Sequence, residues 1–184
     1  MTPRLAHKKV ARLVLPFLAL SALTGLVYRV GRVWFGMSDE TGIAVRAIHD
    51  GTWVGEWFSP FYVLVVGLGL LFMVGSGLAA FARRSKAPTG PRHWHRIAGL
   101  GLMIPLAASA LTGIGFRLTQ AWFGWTTEQA QWLLDVHQGT LLFGRDYRAY
   151  YVIVIGLGLL GLVVTGATML GWIRTTPRSS SARG

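Results

Sequence analysis

Four histidines fall into two matched pairs, His7 with His95 and His49 with His137, each pair 88 residues apart. A neutral imidazole offers a metal one nitrogen lone pair and gives a partner one N–H, and it exchanges a proton near neutral pH. Matched histidines therefore point to metal ligation or proton handling. The context is repeated too, with "HDGT" at His49 returning as "HQGT" at His137. Cysteine is absent, which excludes disulfides, thiolate metal sites and iron–sulfur clusters. A fifth histidine, His93, matches Leu5 in the first half and so has no repeat partner. It is the alternative to His95 as a ligand.

The chain that must position these side chains is apolar. Of its 184 residues 52% are hydrophobic and only 14% charged, against about 25% charged in a soluble domain. Four apolar runs, at about 13–35, 58–81, 97–123 and 149–172, each reach the roughly 20 residues that cross a bilayer. All four are predicted as helices, because a lipid-exposed span must satisfy its own backbone. Pro16 and Pro105 lie inside the first and third and predict a kink or a turn there. Two short amphipathic stretches, "SDETGIAVRAIH" and "TTEQAQWLLDVH", predict helices leading into His49 and His137, with Ser38 and Thr126 as N-caps and Gly51 and Gly139 as stops. The fold class is thus an all-α membrane protein, a bundle of four transmembrane helices with short amphipathic helices in the outer loops.

The whole chain is a duplication. "SALTGLVYR" at Ser21 returns as "SALTGIGFR" at Ser109, and Trp34-Phe35-Gly36 as Trp122-Phe123-Gly124. After one inserted residue the offset becomes 89, and "GLGLL" at Gly67 returns at Gly156. The internal copy also argues that the basic, apolar start is a retained helix rather than a leader. The organisation is one membrane domain over 1–184, with repeat one at about 7–84, repeat two at about 95–174 and a disordered tail over 175–184. Each repeat crosses twice, so the copies are parallel and related by a pseudo-two-fold axis along the membrane normal.

Charge sets the orientation. Twelve of the 18 Lys and Arg lie in the N-terminus, the central loop and the C-terminus, whereas all seven acidic residues lie in the other two loops. The positive-inside rule predicts both termini in the cytoplasm, and the net charge of +11 reads as a topology signal and not as a nucleic-acid surface. His7 and His95 then share the inner face, and His49 and His137 the outer. Two imidazoles at one depth in a four-helix bundle are what a bis-histidine haem needs, whereas zinc or copper wants three or four ligands. Arg29 and Arg117 match across the repeat near the outer face, where a charge needs an anionic partner. Haem propionates, Asp50, Glu56 and Asp135 are the candidates. The glycines of "GLGLL", "LTG", "GSG" and "AGLG" offer either room for a macrocycle or helix contacts, and the tryptophans read as interface anchors.

The stretches "HRIAGLGLMIPLAASALTGIGFRL", "DVHQGTLLFG" and "YVIVIGLGLLGLVVTGATMLGWIR" resemble the PepSY-associated transmembrane helix family. The likeness covers both repeats, roughly 7–174, and the second more fully: the first reads "HKK" and "WVG" where the family has His-Arg and Phe-Gly. It implies a haem-containing inner-membrane reductase or cytochrome b-like protein in which His7, His49, His95 and His137 ligate haem. The expected function is a di-haem b-type cytochrome moving electrons across the bacterial inner membrane. It would hold two haem b per chain and serve as a reductase or as a non-catalytic electron-transfer subunit. Expected partners are the lipid bilayer and a redox protein or small-molecule donor or acceptor, with no nucleic acid, in a homo-oligomer or a larger complex. The alternative is a haem-free membrane anchor that docks a partner.

Overall fold

A computed structural model describes residues 2–82 and 89–173. Among the described residues there are six helices: α1 (Pro3–Trp34), α2 (Asp39–Asp50), α3 (Ser59–Ala82), α4 (Pro91–Phe123), α5 (Thr127–His137) and α6 (Thr140–Leu170). There is no strand among the described residues. Helices α1, α3, α4 and α6 are long and apolar enough to cross a membrane. Their outward faces carry Leu13, Val65, Ile104 and Val154, all well exposed. Water would penalise such surface, and lipid does not. The basic residues Arg83, Arg84, Lys86, Arg174, Arg178 and Arg183 and the tail 175–184 lie outside the described residues.

Three spans begin earlier than their apolar runs. Thr2 caps α1 by accepting from Leu5 N–H, and Pro3 supplies a first-turn residue that needs no N–H partner. Pro91 does the same for α4. Both first turns are polar or basic, so hydropathy alone does not see them. Helix α6 starts at Thr140, but Gly144 breaks it at φ 75°, ψ 175°, leaving one short turn before the long span. Pro16 and Pro105 each sit inside an unbroken helix.

The four spans form a ring. Helix α1 packs on α3 and α6, and α4 packs on α3 and α6, while α1 and α4 face each other across the centre, as do α3 and α6. The equivalent helices of the two repeats are thus diagonal, as an axis through the bundle requires. Helix α2 lies against α1 and α3, and α5 against α4 and α6. They cover one end, the cap end; the opposite, terminal end is where α1 and α4 begin.

Glycine sets the helix spacing. A Cβ on Gly67 would come 2.6 Å from Ile114, and one on Gly156 would come 2.7 Å from Leu26, so the first glycine of each "GLGLL" lets a helix of the other repeat approach. The second glycines, Gly69 and Gly158, face Val14 and Leu102 of their own repeats. In lipid, where no hydrophobic force drives helices together, such close backbone packing is a main source of cohesion. The "GLGLL" glycines are therefore helix contacts. Of the "AGLG" pair, Gly99 has ordinary contact with Leu162, and Gly101 has no neighbour within contact range.

Candidate functional site

The four matched histidines line two cavities, one at each end of the bundle. The terminal cavity, about 250 Å³, is lined by His7 and His95, by apolar side chains, and at its mouth by Arg4, Lys8, Arg92 and Arg96. The cap cavity, about 300 Å³, is lined by His49, His137, Arg29, Arg46, Arg117, Tyr62 and Tyr151 among others. Leu18, Leu70, Leu106 and Leu159 line both, and form the floor between them. His49 meets α1 at Ser21–Gly25, which is 14 to 18 residues beyond His7. At 1.5 Å per residue the two levels are roughly 21–27 Å apart, too far to share one small ligand.

At the terminal end the His7 and His95 rings face each other, with centroids 6.4 Å apart and planes at 83°. Two imidazoles bound to one metal, at about 2.0–2.1 Å per bond, have centroids roughly 6 Å apart. Each ring is held by a hydroxyl on the adjacent helix: His7 Nδ1 lies 2.8 Å from Ser76 Oγ, and His95 Nδ1 lies 2.8 Å from Thr165 Oγ1. Ser76 donates its own proton to the Phe72 carbonyl, and Thr165 donates its proton to the Gly161 carbonyl. Both hydroxyl oxygens are thus left to accept, so Nδ1 carries the proton and Nε2 is a bare lone pair.

The cap end reaches the same state with backbone acceptors. His49 Nδ1 donates to the Ser21 carbonyl at 2.9 Å, and His137 Nδ1 donates to the Ser109 carbonyl at 2.8 Å. A carbonyl can only accept, so here too Nε2 is unprotonated. Burial pushes His49 below the usual imidazole range. It pushes His137 down to about 4, with the neighbouring His49 imidazole adding to the shift. A neutral, oriented imidazole with its second nitrogen engaged is the form in which histidine ligates a metal.

Every one of the four rings also rests on a glycine. A Cβ would come 3.4 Å from the His49 ring at Gly25, 3.2 Å from His137 at Gly113, 3.4 Å from His7 at Gly77 and 3.7 Å from His95 at Gly166. These are the glycines of "LTG" and "GSG" and, in repeat two, of "VTG". They make room for imidazoles. The His-x-Gly motif has a separate cause. Gly51 and Gly139 adopt φ 81° and 73°, where a side chain is strained, and the Tyr62 and Tyr151 rings lie against them. The turn brings each histidine back over its own repeat while seating a tyrosine in the cavity wall. The capping expected of Ser38 and Thr126 is present, with a full capping box between Thr126 and Gln129.

His93 is exposed beside Trp94 and lines neither cavity. Arg29 and Arg117, matched in sequence, differ in surroundings. Arg117 donates from Nε to Ser59 Oγ at 2.6 Å and is paired with Glu56, one of the three acidic partners considered. Arg29 is only 6% exposed; it donates to Gln138 Oε1 at 2.5 Å, and its Nε has no partner among the described residues. Asp50 accepts from Thr52, and Asp135 from Gln131. Sequence reasoning missed Ser76, Thr165, Tyr62, Tyr151 and Arg46. The first four match at the offset of 89, and that was the signal available for them.

Among the described residues no three His, Cys, Asp or Glu side chains converge on a point where they could hold a bare metal ion. Two imidazoles per level instead suit a metal that brings its own equatorial ligands, as haem does. The apolar walls, the glycine-seated rings and the orphaned Arg29 Nε fit such a group. Comparison with family models, with curated proteins and with solved structures finds no match for this chain.

Proposed function

We propose that the chain is a di-haem b-type membrane cytochrome, holding one haem between His7 and His95 and a second between His49 and His137. The observation that carries this is the state of the imidazoles: all four have Nδ1 committed to an acceptor and Nε2 free, in two pairs at two levels. When bound, haem supplies one-electron redox chemistry. The protein's residues do the rest. Ser76, Thr165 and the carbonyls of Ser21 and Ser109 fix ring orientation and raise ligand basicity. The apolar walls exclude water, and the mouth cations of the terminal cavity suit carboxylates.

In this reading electrons cross between a donor and an acceptor on opposite sides, each a redox protein or a small molecule, and the chain serves as a reductase or as its electron-transfer subunit. The charge distribution favours both termini cytoplasmic, and the inner membrane of a bacterium is what the family resemblance implies. The likeness to the PepSY-associated transmembrane family points the same way. The test is direct. Detergent-solubilised protein should give low-spin b-type spectra and a pyridine haemochrome ratio near two haems per chain. A colourless preparation, even after haem supplementation during expression, would leave the anchor reading in its place.

A further inference from the structure

The two halves of the cap cavity repeat closely in their histidines, glycines and tyrosines, but not in charge. Arg117 is met by acidic and hydroxyl groups from repeat one: Glu56 pairs with it and Ser59 accepts from its Nε. At the offset of 89 these positions hold Arg145 and Arg148 in repeat two, and at the offset of 88 Asp50 becomes Gln138. Arg29 accordingly finds Gln138 in place of a carboxylate. Arg46, whose counterpart is Leu134, adds a further cation to the same cavity.

An arginine that is only 6% exposed, whose Nε has no partner among the described residues and which shares its cavity with Arg46, is a costly arrangement unless an anion completes it. A guanidinium N–H gives a carboxylate a charge-assisted hydrogen bond. Gln138 occupies Nη2 from one side and leaves Nε for the ligand.

We infer that the cap cavity contains a one-sided carboxylate-binding site at Arg29, supported by Gln138 and by Arg46 in the same cavity, while its repeat mate Arg117 is already neutralised by Glu56. The site takes a single carboxylate, carried either by the macrocycle proposed to sit between His49 and His137 or by a separate anionic molecule in the same cavity. The first source rests on the di-haem reading; the second does not.

The experiment compares haem with haem dimethyl ester, which has the same ring and no free carboxylate, in apoprotein reconstitution followed by release to an excess of apomyoglobin. Wild type should hold the cap-end haem about 10- to 100-fold more tightly than the ester, the weight of one hydrogen bond to a charged group. Arg29→Gln should remove that preference and Arg29→Lys should recover part of it, while Arg117→Gln leaves it in place. The Lys variant guards against a mere folding defect, and loss of a buried unpaired charge should not unfold the Gln variant. If haem and ester are held equally, succinate added to the loaded protein should raise the thermal midpoint in wild type and not in Arg29→Gln, which assigns the carboxylate to a separate molecule. If neither compound binds, the di-haem reading fails, and the same succinate titration of the apoprotein judges the site alone. No ester discrimination together with no Arg29-dependent response to succinate overturns the inference.

Discussion

Replacing Thr165 with valine keeps the side-chain shape and deletes the hydroxyl that accepts from His95 Nδ1 at 2.8 Å. A buried N–H left without an acceptor costs about 1–3 kcal/mol, and losing the group that orients a ligating histidine lowers metal affinity about 10- to 100-fold, or about 1.4–2.7 kcal/mol. The two ranges agree. Thr165 Oγ1 also lies 3.1 Å from the Leu162 carbonyl, which the substitution frees as a substitute acceptor on the same helix, and this places the expectation at the low end, about tenfold. The Nδ1–H bond also pushes electron density towards Nε2, which in a haem held there would favour ferric iron. Removing it should raise the reduction potential of the terminal site, by up to about 60 mV if the whole tenfold loss falls on the ferric form. The cap site, roughly 21–27 Å further along α1, should hardly move. Spectroelectrochemical titration reads both potentials, and haem loss to apomyoglobin reads the affinity. Ser76→Ala acts on the opposite ring of the same pair and should move the same site in the same direction. Thr168→Val, which removes an exposed hydroxyl bonded only to the Val164 carbonyl, is the control. If Thr165→Val and Ser76→Ala leave both potentials and both loss rates where Thr168→Val leaves them, the hydroxyls do not orient haem ligands and the tautomer argument fails.

Three further outcomes are expected. His49→Ala and His137→Ala should each abolish the same haem and spare the other, with His7→Ala and His95→Ala doing the reverse; loss of one common haem in His7→Ala and His49→Ala would contradict the pairing across repeats. The His7 and His95 planes are near-perpendicular, at 83°, and in a haem held between them this would direct imidazole π-donation into two different iron orbitals and keep those close in energy. The ferric terminal site should therefore give a strongly anisotropic low-spin EPR signal, which His95→Ala removes. Finally, His137 stays neutral in the fold down to about pH 4, whereas an unfolded histidine protonates near pH 6.5, so the unfolded chain binds more protons between those values. Apoprotein stability at the cap end should fall as pH drops through that window and level off below it; a denaturation midpoint that rises with acidification would refute the burial of this ring.

The large features of this molecule were legible because they are written in composition and repetition. Apolar runs marked the spans, and once these were placed the doubled histidines gave two levels. The true starts of α1 and α4 were harder to see, since their first two turns carry Arg4, His7, Lys8, Arg92 and His95 and look like loop to a hydropathy reading. The cue was in the caps, with Thr2-Pro3 and Gly90-Pro91 at the two starts. Ser76 and Thr165 were overlooked because each lies about 70 residues from the histidine it holds, on the helix packed alongside. The contrast between Arg29 and Arg117 was hidden by the repeat itself. Matched residues invite matched roles, and the partners that separate them fall where the register slips from 88 to 89.

That slip points to what the fusion of two halves makes available. Each histidine pair takes one member from each repeat, so a single two-helix unit holds half of both sites and would complete them only by pairing with a second copy. In such a homodimer every residue occurs twice, and a carboxylate brought to one arginine is brought to the other. Joining the copies in one chain lifts that constraint. Glu56 can satisfy Arg117 while its counterpart becomes basic, and a symmetric cradle gains a direction: a lopsided ligand entering the cap cavity has one preferred way round.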